Sequence, residues 1–180
     1  MILIINLCKH ELHYFEFVKP VEDIVVKTGM SYDVVSINYL TKEHLDSADK
    51  IIICGTSLRD FSYEKKDFSW IKNYEKPILG ICAGFQVICE SYNFKTKKGI
   101  EIGLKSISFD KKFLGIKGVK QVYCLHNNII EKDAKFAKEF KTYSNSENIQ
   151  AIKKHTKQVY ATLFHPEIRN RTVIENFLYI

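Results

Sequence analysis

The sequence predicts an α/β fold with a central, mostly parallel sheet, helices on both faces and antiparallel strands in the C-terminal half. Three observations predict it. Short runs of almost unbroken apolar residues recur up to Phe94, as in parallel strands covered on both faces. Stretches with apolar residues at helical spacing separate them, the pattern of right-handed βαβ crossovers. Beyond Phe94 the helical spacing gives way to β-like pieces divided by turns, which implies mixed or antiparallel pairing.

The elements follow in order. Ile2–Leu7 (ILIINL) is the first strand, and Tyr14 to Thr28 is one helix with Gly29 as its stop. Tyr32–Ile37 is the second strand. Thr41, with Glu43 and His44, opens a short helix that ends near Asp49 and Lys50. Lys50–Thr56 (KIIICGT) is the third strand and runs into a polar loop, Ser57 to Tyr63. Pro77–Cys82 (PILGIC) is the fourth, followed by a helix from about Gly84 to Tyr92. Five further pieces read as β-like: IEIGLKSISF, FLGIKGVKQVYCL, AKEFKTYSNS, IQAIKKH and QVYATLFHP. NRTVIENFLYI closes the chain as a helix. No repeat, low-complexity tract or linker divides the chain, so residues 1–180 are expected to form a single domain.

Composition sets bounds on function. The 180 residues are 46% hydrophobic and 27% charged, ordinary for a globular chain able to bury a core. The formal charge of +6 is spread through lysine-rich turns such as Lys95–Lys98 and Lys153–Lys157, with no basic arm or stripe, so nucleic acid is not an expected partner. No apolar run approaches the ~18 residues of a membrane span, and the start lacks a basic lead and cleavage site. The five cysteines are odd in number and without paired spacing, which fits a reducing cytoplasm.

The stretch with the most chemistry in it is Gly80-Ile81-Cys82-Ala83-Gly84, of the form G-x-C-x-G at a strand-to-helix junction. This is the cysteine version of a nucleophile elbow. Flanking glycines remove Cβ atoms that would collide with strand and helix, and the N-terminal end of the following helix favours a thiolate. The Ala83 N–H is then free to face a developing oxyanion. The structural alternative is a buried cysteine beside a glycine-rich turn. A nucleophile needs a base and the base an orienting group; Phe164-His165-Pro166-Glu167 supplies an imidazole and a carboxylate two residues apart. A lone His-Pro-Glu is weak evidence, since a turn histidine is usually solvated. Paired with the elbow it is strong.

Other constellations are weaker. Cys8, His10 and His13 cluster past the first strand but lack a second ligand pair, so no metal site is expected. Cys89 reads as helix core, and Cys54 and Cys124 as strand interior. Gly99–Ser106 lacks the adjacent Gly-Lys of a phosphate loop, and no G-x-G-x-x-G is present.

PILGICAGFQ followed by LFHPE resembles the triad-type, class I glutamine amidotransferases. The resemblance implies a flavodoxin-like three-layer fold and hydrolysis of L-glutamine to glutamate and ammonia without a cofactor. It implies Cys82 as the nucleophile of a γ-glutamyl thioester, with His165 and Glu167 completing the triad. Gln86 and Gly55 would seat the substrate, and His126, in VYCLHNNII, would sense the partner. The family usually carries Gly-Gly-Pro after the third strand, where this chain has Gly55-Thr56-Ser57. Thr56 would then supply the second oxyanion N–H from a conformation that does not require φ > 0, or a partner would remodel the loop. The length leaves no room for an ATP-using domain, so the ammonia is expected to pass to an ATP-dependent synthetase on a separate chain. The branch serving GMP synthesis is the first expectation; those of anthranilate, imidazole glycerol phosphate and carbamoyl phosphate synthesis stay open. The alternatives are a γ-glutamyl hydrolase of the same fold and a non-catalytic regulatory subunit.

Overall fold

A computed structural model describes residues 1–180, and its main sheet is built from the apolar runs. In chain order come β1 (Ile2–Asn6), α1 (Glu11–Phe17), α2 (Lys19–Lys27), β2 (Tyr32–Ser36), α3 (Lys42–Ser47) and β3 (Lys50–Ile53). Two 3-10 turns (Ser62–Lys65 and Ser69–Lys72), β4 (Ile78–Ile81) and α4 (Ala83–Ser91) follow. The second half holds β5 (Thr96–Phe113), β6 (Ile116–Ile130), α5 (Ala134–Glu139), β7 (Phe140–Thr142), β8 (Ser144–Asn145), β9 (Ala151–Lys154), β10 (Val159–Thr162) and α6 (Thr172–Leu178).

The main sheet runs β2-β1-β3-β4-β10-β9-β7. Its first five strands are mutually parallel, and β9 and β7 add antiparallel pairs at one edge. Successive side chains of a strand point to opposite faces, and both faces here are covered. Leu3, Ile5, Ile51 and Ile53 pack with Phe85, Val87 and Ile88 of α4 and with Phe136 and Phe140. Ile2, Ile4, Ile52, Leu79 and Ile81 pack with Phe17, Val21, Ile24 and Val25 of α1 and α2, and with Ile174 and Phe177 of α6. The expected three layers are therefore present. No helix is long and apolar enough to cross a membrane.

Three expectations need correction. The helix drawn from Tyr14 to Thr28 is two helices broken at Val18, because Pro20 has no N–H to continue α1 and instead sits in the first turn of α2. Gly29, at φ 72°, does stop it. The stretch AKEFKTYSNS is not all β: α5 runs through Glu139, with the Asp133 side chain accepting from the Phe136 N–H as its cap (2.6 Å). The pieces after Phe94 join into one long hairpin of β5 and β6, closed by Leu114-Gly115, both at positive φ, as a two-residue hairpin turn needs. The hairpin's inner face, with Phe109, Phe113, Val122 and Cys124, packs on Ala151, Phe164 and Val173. β8 extends it into a second, three-stranded sheet.

Phe140 stacks on Phe136 at 5.1 Å and meets Tyr92 edge-on at 5.3 Å while fully enclosed. Phe140→Ala is expected to lower stability by about 3–5 kcal/mol, read as a lower urea midpoint. A change below about 1 kcal/mol would contradict this packing.

Candidate active site

The C-terminal ends of three adjacent parallel strands meet at one place. The register Ile53↔Gly80 and Thr162↔Ile81 aligns the exits of β3, β4 and β10. Chain leaving them carries Gly55 and Thr56, Cys82, and His165 respectively. Such a sheet edge is where doubly wound folds bind ligands.

Cys82 occupies the turn between β4 and α4 at φ 52°, ψ −101°, a left-handed conformation that costs a non-glycine residue about 1–3 kcal/mol. Its N–H donates to the Thr162 carbonyl (2.8 Å), and its carbonyl accepts from Gln86 (3.2 Å). The turn is held by close approach: a Cβ on Gly84 would overlap the Ile53 carbonyl, and one on Gly80 would lie 2.5 Å from the Gly84 oxygen. Ala83 is the first residue of α4, and its N–H makes no backbone hydrogen bond.

His165 is buried and Glu167 fully enclosed. His165 Nδ1 lies 2.6 Å from Glu167 Oε1, which places the remaining proton site at Nε2. The His165 N–H donates to the Tyr123 carbonyl of β6 (2.8 Å), and Phe17 packs on the ring at 5.6 Å. Burial opposes a charge on this imidazole. The Glu167 carboxylate and the Cys82 sulfur outweigh it, so the imidazole holds its proton well above the usual range. Nε2 has no partner of good geometry, and the Cys82 thiol itself is turned to the Leu125 carbonyl at 3.5 Å.

Gly55 lies under both groups: a Cβ there would come 3.0 Å from His165 Cε1 and 3.3 Å from Cys82 Cβ. Thr56 follows, buried, with a backbone N–H free of hydrogen bonds and without positive φ, so the threonine fits unstrained where the sequence raised that concern. Asp60, which the sequence did not single out, clamps this loop. One carboxylate oxygen accepts from Lys9 N–H (2.6 Å) and the Thr56 hydroxyl (3.0 Å), the other from Ser62 N–H and hydroxyl (3.1 and 2.7 Å). Burial works against its charge, but these donors keep its carboxyl below the usual range. Asn127 Nδ2 adds a bond to the Leu58 carbonyl (2.8 Å). Gln86 is buried and accepts from the Tyr63 hydroxyl at 3.0 Å. The cavity among Thr56, Tyr63, Cys82, Gln86, Leu125 and His126 has a volume of about 10 Å³, enough for one water molecule.

His126 is buried in this cavity wall with Nε2 3.1 Å from Glu101 Oε2. Burial lowers its proton affinity, against the pull of Glu101. Of the other cysteines, Cys89 is helix core and Cys54 is sealed just past β3; burial raises both thiols well above the usual range. Burial also pushes Cys8 up to about 11, with its thiol turned to the Gly55 carbonyl at 3.7 Å. Cys8, His10 and His13 do not converge as a donor set. Asn127 and Glu101 escaped the sequence reading because each acts on residues distant in the chain, and Asp60 because its clamp joins Lys9, 51 residues away, to its loop neighbours Thr56 and Ser62.

A family model described as glutamine amidotransferase class-I matches residues 13–179. One of the subunits of glutamine-hydrolysing GMP synthase from Methanothermobacter thermautotrophicus is 31% identical over 119 residues, covering 60% of this chain and 62% of that one. The corresponding subunit of Methanobrevibacter smithii is 27% identical over 119 residues, covering 60% and 61%. The chain thus spans about three fifths of the length of these curated relatives. In structure, a Thermoplasma acidophilum protein provisionally described as the same GMP synthase component superposes with a TM-score of 0.84 over 99% of this chain and 92% of its own. The two are 21% identical, a likeness of fold.

Because the folded His165 holds its proton more tightly than an unfolded imidazole, that proton stabilises the fold fully below about pH 6.5, and the contribution fades as pH rises through the folded value. An NMR titration should show His165 protonated above the ordinary range, and Glu167→Gln should move its midpoint down. An unmoved midpoint would contradict the assigned ion pair.

Proposed function

The chain belongs to the class I glutamine amidotransferase family, and from that premise we propose that it hydrolyses L-glutamine to glutamate and ammonia. The observation that carries the reading is the convergence of Cys82, His165 and Glu167 from two neighbouring strand ends. Cys82 acts as the nucleophile: its thiolate attacks the side-chain amide carbon of glutamine. The amide oxygen becomes an oxyanion that accepts from the N–H groups of Ala83 and Thr56. His165, as imidazolium, gives its proton to the departing nitrogen, and ammonia leaves a γ-glutamyl thioester on the sulfur. Neutral His165 then takes a proton from water, the hydroxide adds to the thioester, and glutamate is released. Glu167 keeps the imidazole oriented and its proton on Nδ1. Gln86 and the Gly55 backbone hold the substrate.

A cavity with room for one water does not hold an amino acid. Outward movement of the loop 57–63, parting Asn127 from Leu58 and Tyr63 from Gln86, would make room for glutamine. Docking of a synthetase is a natural trigger, and His126, which faces the loop across the cavity from β6, would sense its displacement. The resemblance to these GMP synthase components favours, as the acceptor of ammonia, a separate ATP-dependent GMP synthase chain in cytoplasmic purine biosynthesis. The assembled triad speaks against a purely regulatory role.

Cys82→Ala should reduce glutamine-dependent ammonia release by at least about 10⁴-fold while thermal unfolding stays near that of the parent. Unchanged release would end the assignment. Turnover of γ-glutamyl peptides but not of glutamine, with the synthetase present, would favour a γ-glutamyl hydrolase instead.

A further inference from the structure

We propose that Glu101, Cys124 and His126 form a binding site for a thiophilic divalent cation, Zn²⁺ first, in the wall behind the cavity. One donor atom from each, a carboxylate oxygen, a thiol sulfur and a ring nitrogen, lies within 4.8 Å of the others. The hairpin places them there. His126 and Cys124 are two residues apart on β6 and so face the same way, and Glu101 of β5 stands directly opposite His126. Opposite Cys124 the partner strand has Gly103, so no side chain crowds the sulfur from that position.

The donors fit the ion. Sulfur, imidazole nitrogen and carboxylate oxygen are the ligand types of tetrahedral zinc, with bonds of about 2.0–2.3 Å. Those bond lengths put neighbouring ligand atoms roughly 3.3–3.6 Å apart, and His126 Nε2 and Glu101 Oε2 already stand at 3.1 Å. At that distance the ring N–H is poorly aligned with the carboxylate. Both ring nitrogens of His126 are buried without a hydrogen-bond partner of good geometry, an unusual state for a buried imidazole. A cation between ring and carboxylate would satisfy Nε2, leaving Nδ1 to carry the ring proton beside the Gly99 backbone.

Metal ligands are commonly held by a second layer of hydrogen bonds, and Gln150 supplies one. Fully buried, it donates from Nε2 to Glu101 Oε2 (2.6 Å) and accepts at Oε1 from the Cys124 thiol (3.8 Å). Binding exchanges the thiol proton, released to solvent, for the ion, with no change in oxidation state. The bound ion would pin residues 124–126, whose central Leu125 carbonyl accepts from the Cys82 thiol, and so stiffen the wall of the site. The sequence hides this set, since Glu101 lies more than twenty residues from the other two.

The test uses the full chain carrying Cys82→Ala, so that the elbow sulfur cannot serve as a ligand. Titration with Co²⁺ should give one bound ion per chain and a thiolate-to-cobalt absorption band, displaced by Zn²⁺. Adding Cys124→Ser should abolish the band, and Glu101→Gln or His126→Gln should each weaken Zn²⁺ binding by at least about tenfold. Circular dichroism of each metal-free variant checks that it folds. Glu101→Gln, at a partly exposed strand position, carries the comparison if Cys124→Ser does not fold. Absence of Co²⁺ binding would overturn the proposal, as would a band and a Zn²⁺ affinity that survive both Cys124→Ser and Glu101→Gln.

Discussion

The first turn of α4 lies so close to the end of β3 that only glycine fits at position 84, against the Ile53 carbonyl. Nearly everything else at the site follows from that approach. With the helix seated there, the chain must leave β4 through one sharp turn, and Cys82 takes up the positive φ that the turn requires. The strain is sustained by packing on every side, since Ile53, Ile78, Phe85 and Ile88 belong to one continuous apolar cluster. The sulfur is thereby fixed at the N-terminal end of a helix of nine residues, where unpaired N–H groups and the helix dipole favour negative charge.

The second half of the chain completes what the first begins. β10 pairs with β4 in register, so the chain beyond it returns His165 to the neighbourhood of Cys82 from a position more than eighty residues away. The long hairpin then closes the site from the outside: Tyr123, Leu125 and Asn127 of β6 hold His165, Cys82 and the loop after β3 respectively. β6 is itself held along its length by its pairing with β5. The loop of residues 57–63 is tied by Asp60 and by single hydrogen bonds to Asn127 and Gln86. It is therefore the element that can yield when substrate enters.

Much of this was legible because it is local. Apolar runs such as ILIIN and KIII mark strands buried on both faces, and Gly-x-Cys-x-Gly and His-Pro-Glu each carry their geometry within five residues. The break at Val18 was legible too, through Pro20, but helical spacing on either side of it outweighed the proline. Asp133 likewise announced α5 as a capping residue ahead of AKFAKE. The hairpin was harder: the turn falls at Leu114-Gly115, inside the stretch FLGIKGVKQVYCL that reads as one β-like piece, while the strands absorb Gly99, Gly103 and Gly118, two of them at or beside shifts of register. Asp60, Asn127 and Glu101 were beyond reach, because a polar residue in a loop or strand does not declare which distant backbone or ring it will meet.

The central claim is that the Cys82 sulfur forms a covalent bond to the side-chain carbonyl carbon of glutamine. The most direct measurement is mass spectrometry of the protein after exposure to an electrophilic glutamine analogue, with the synthetase partner present. One adduct per chain is predicted, mapping to the peptide that contains Cys82 and suppressed by excess glutamine. Labelling confined to other cysteines, or none at all, would contradict it.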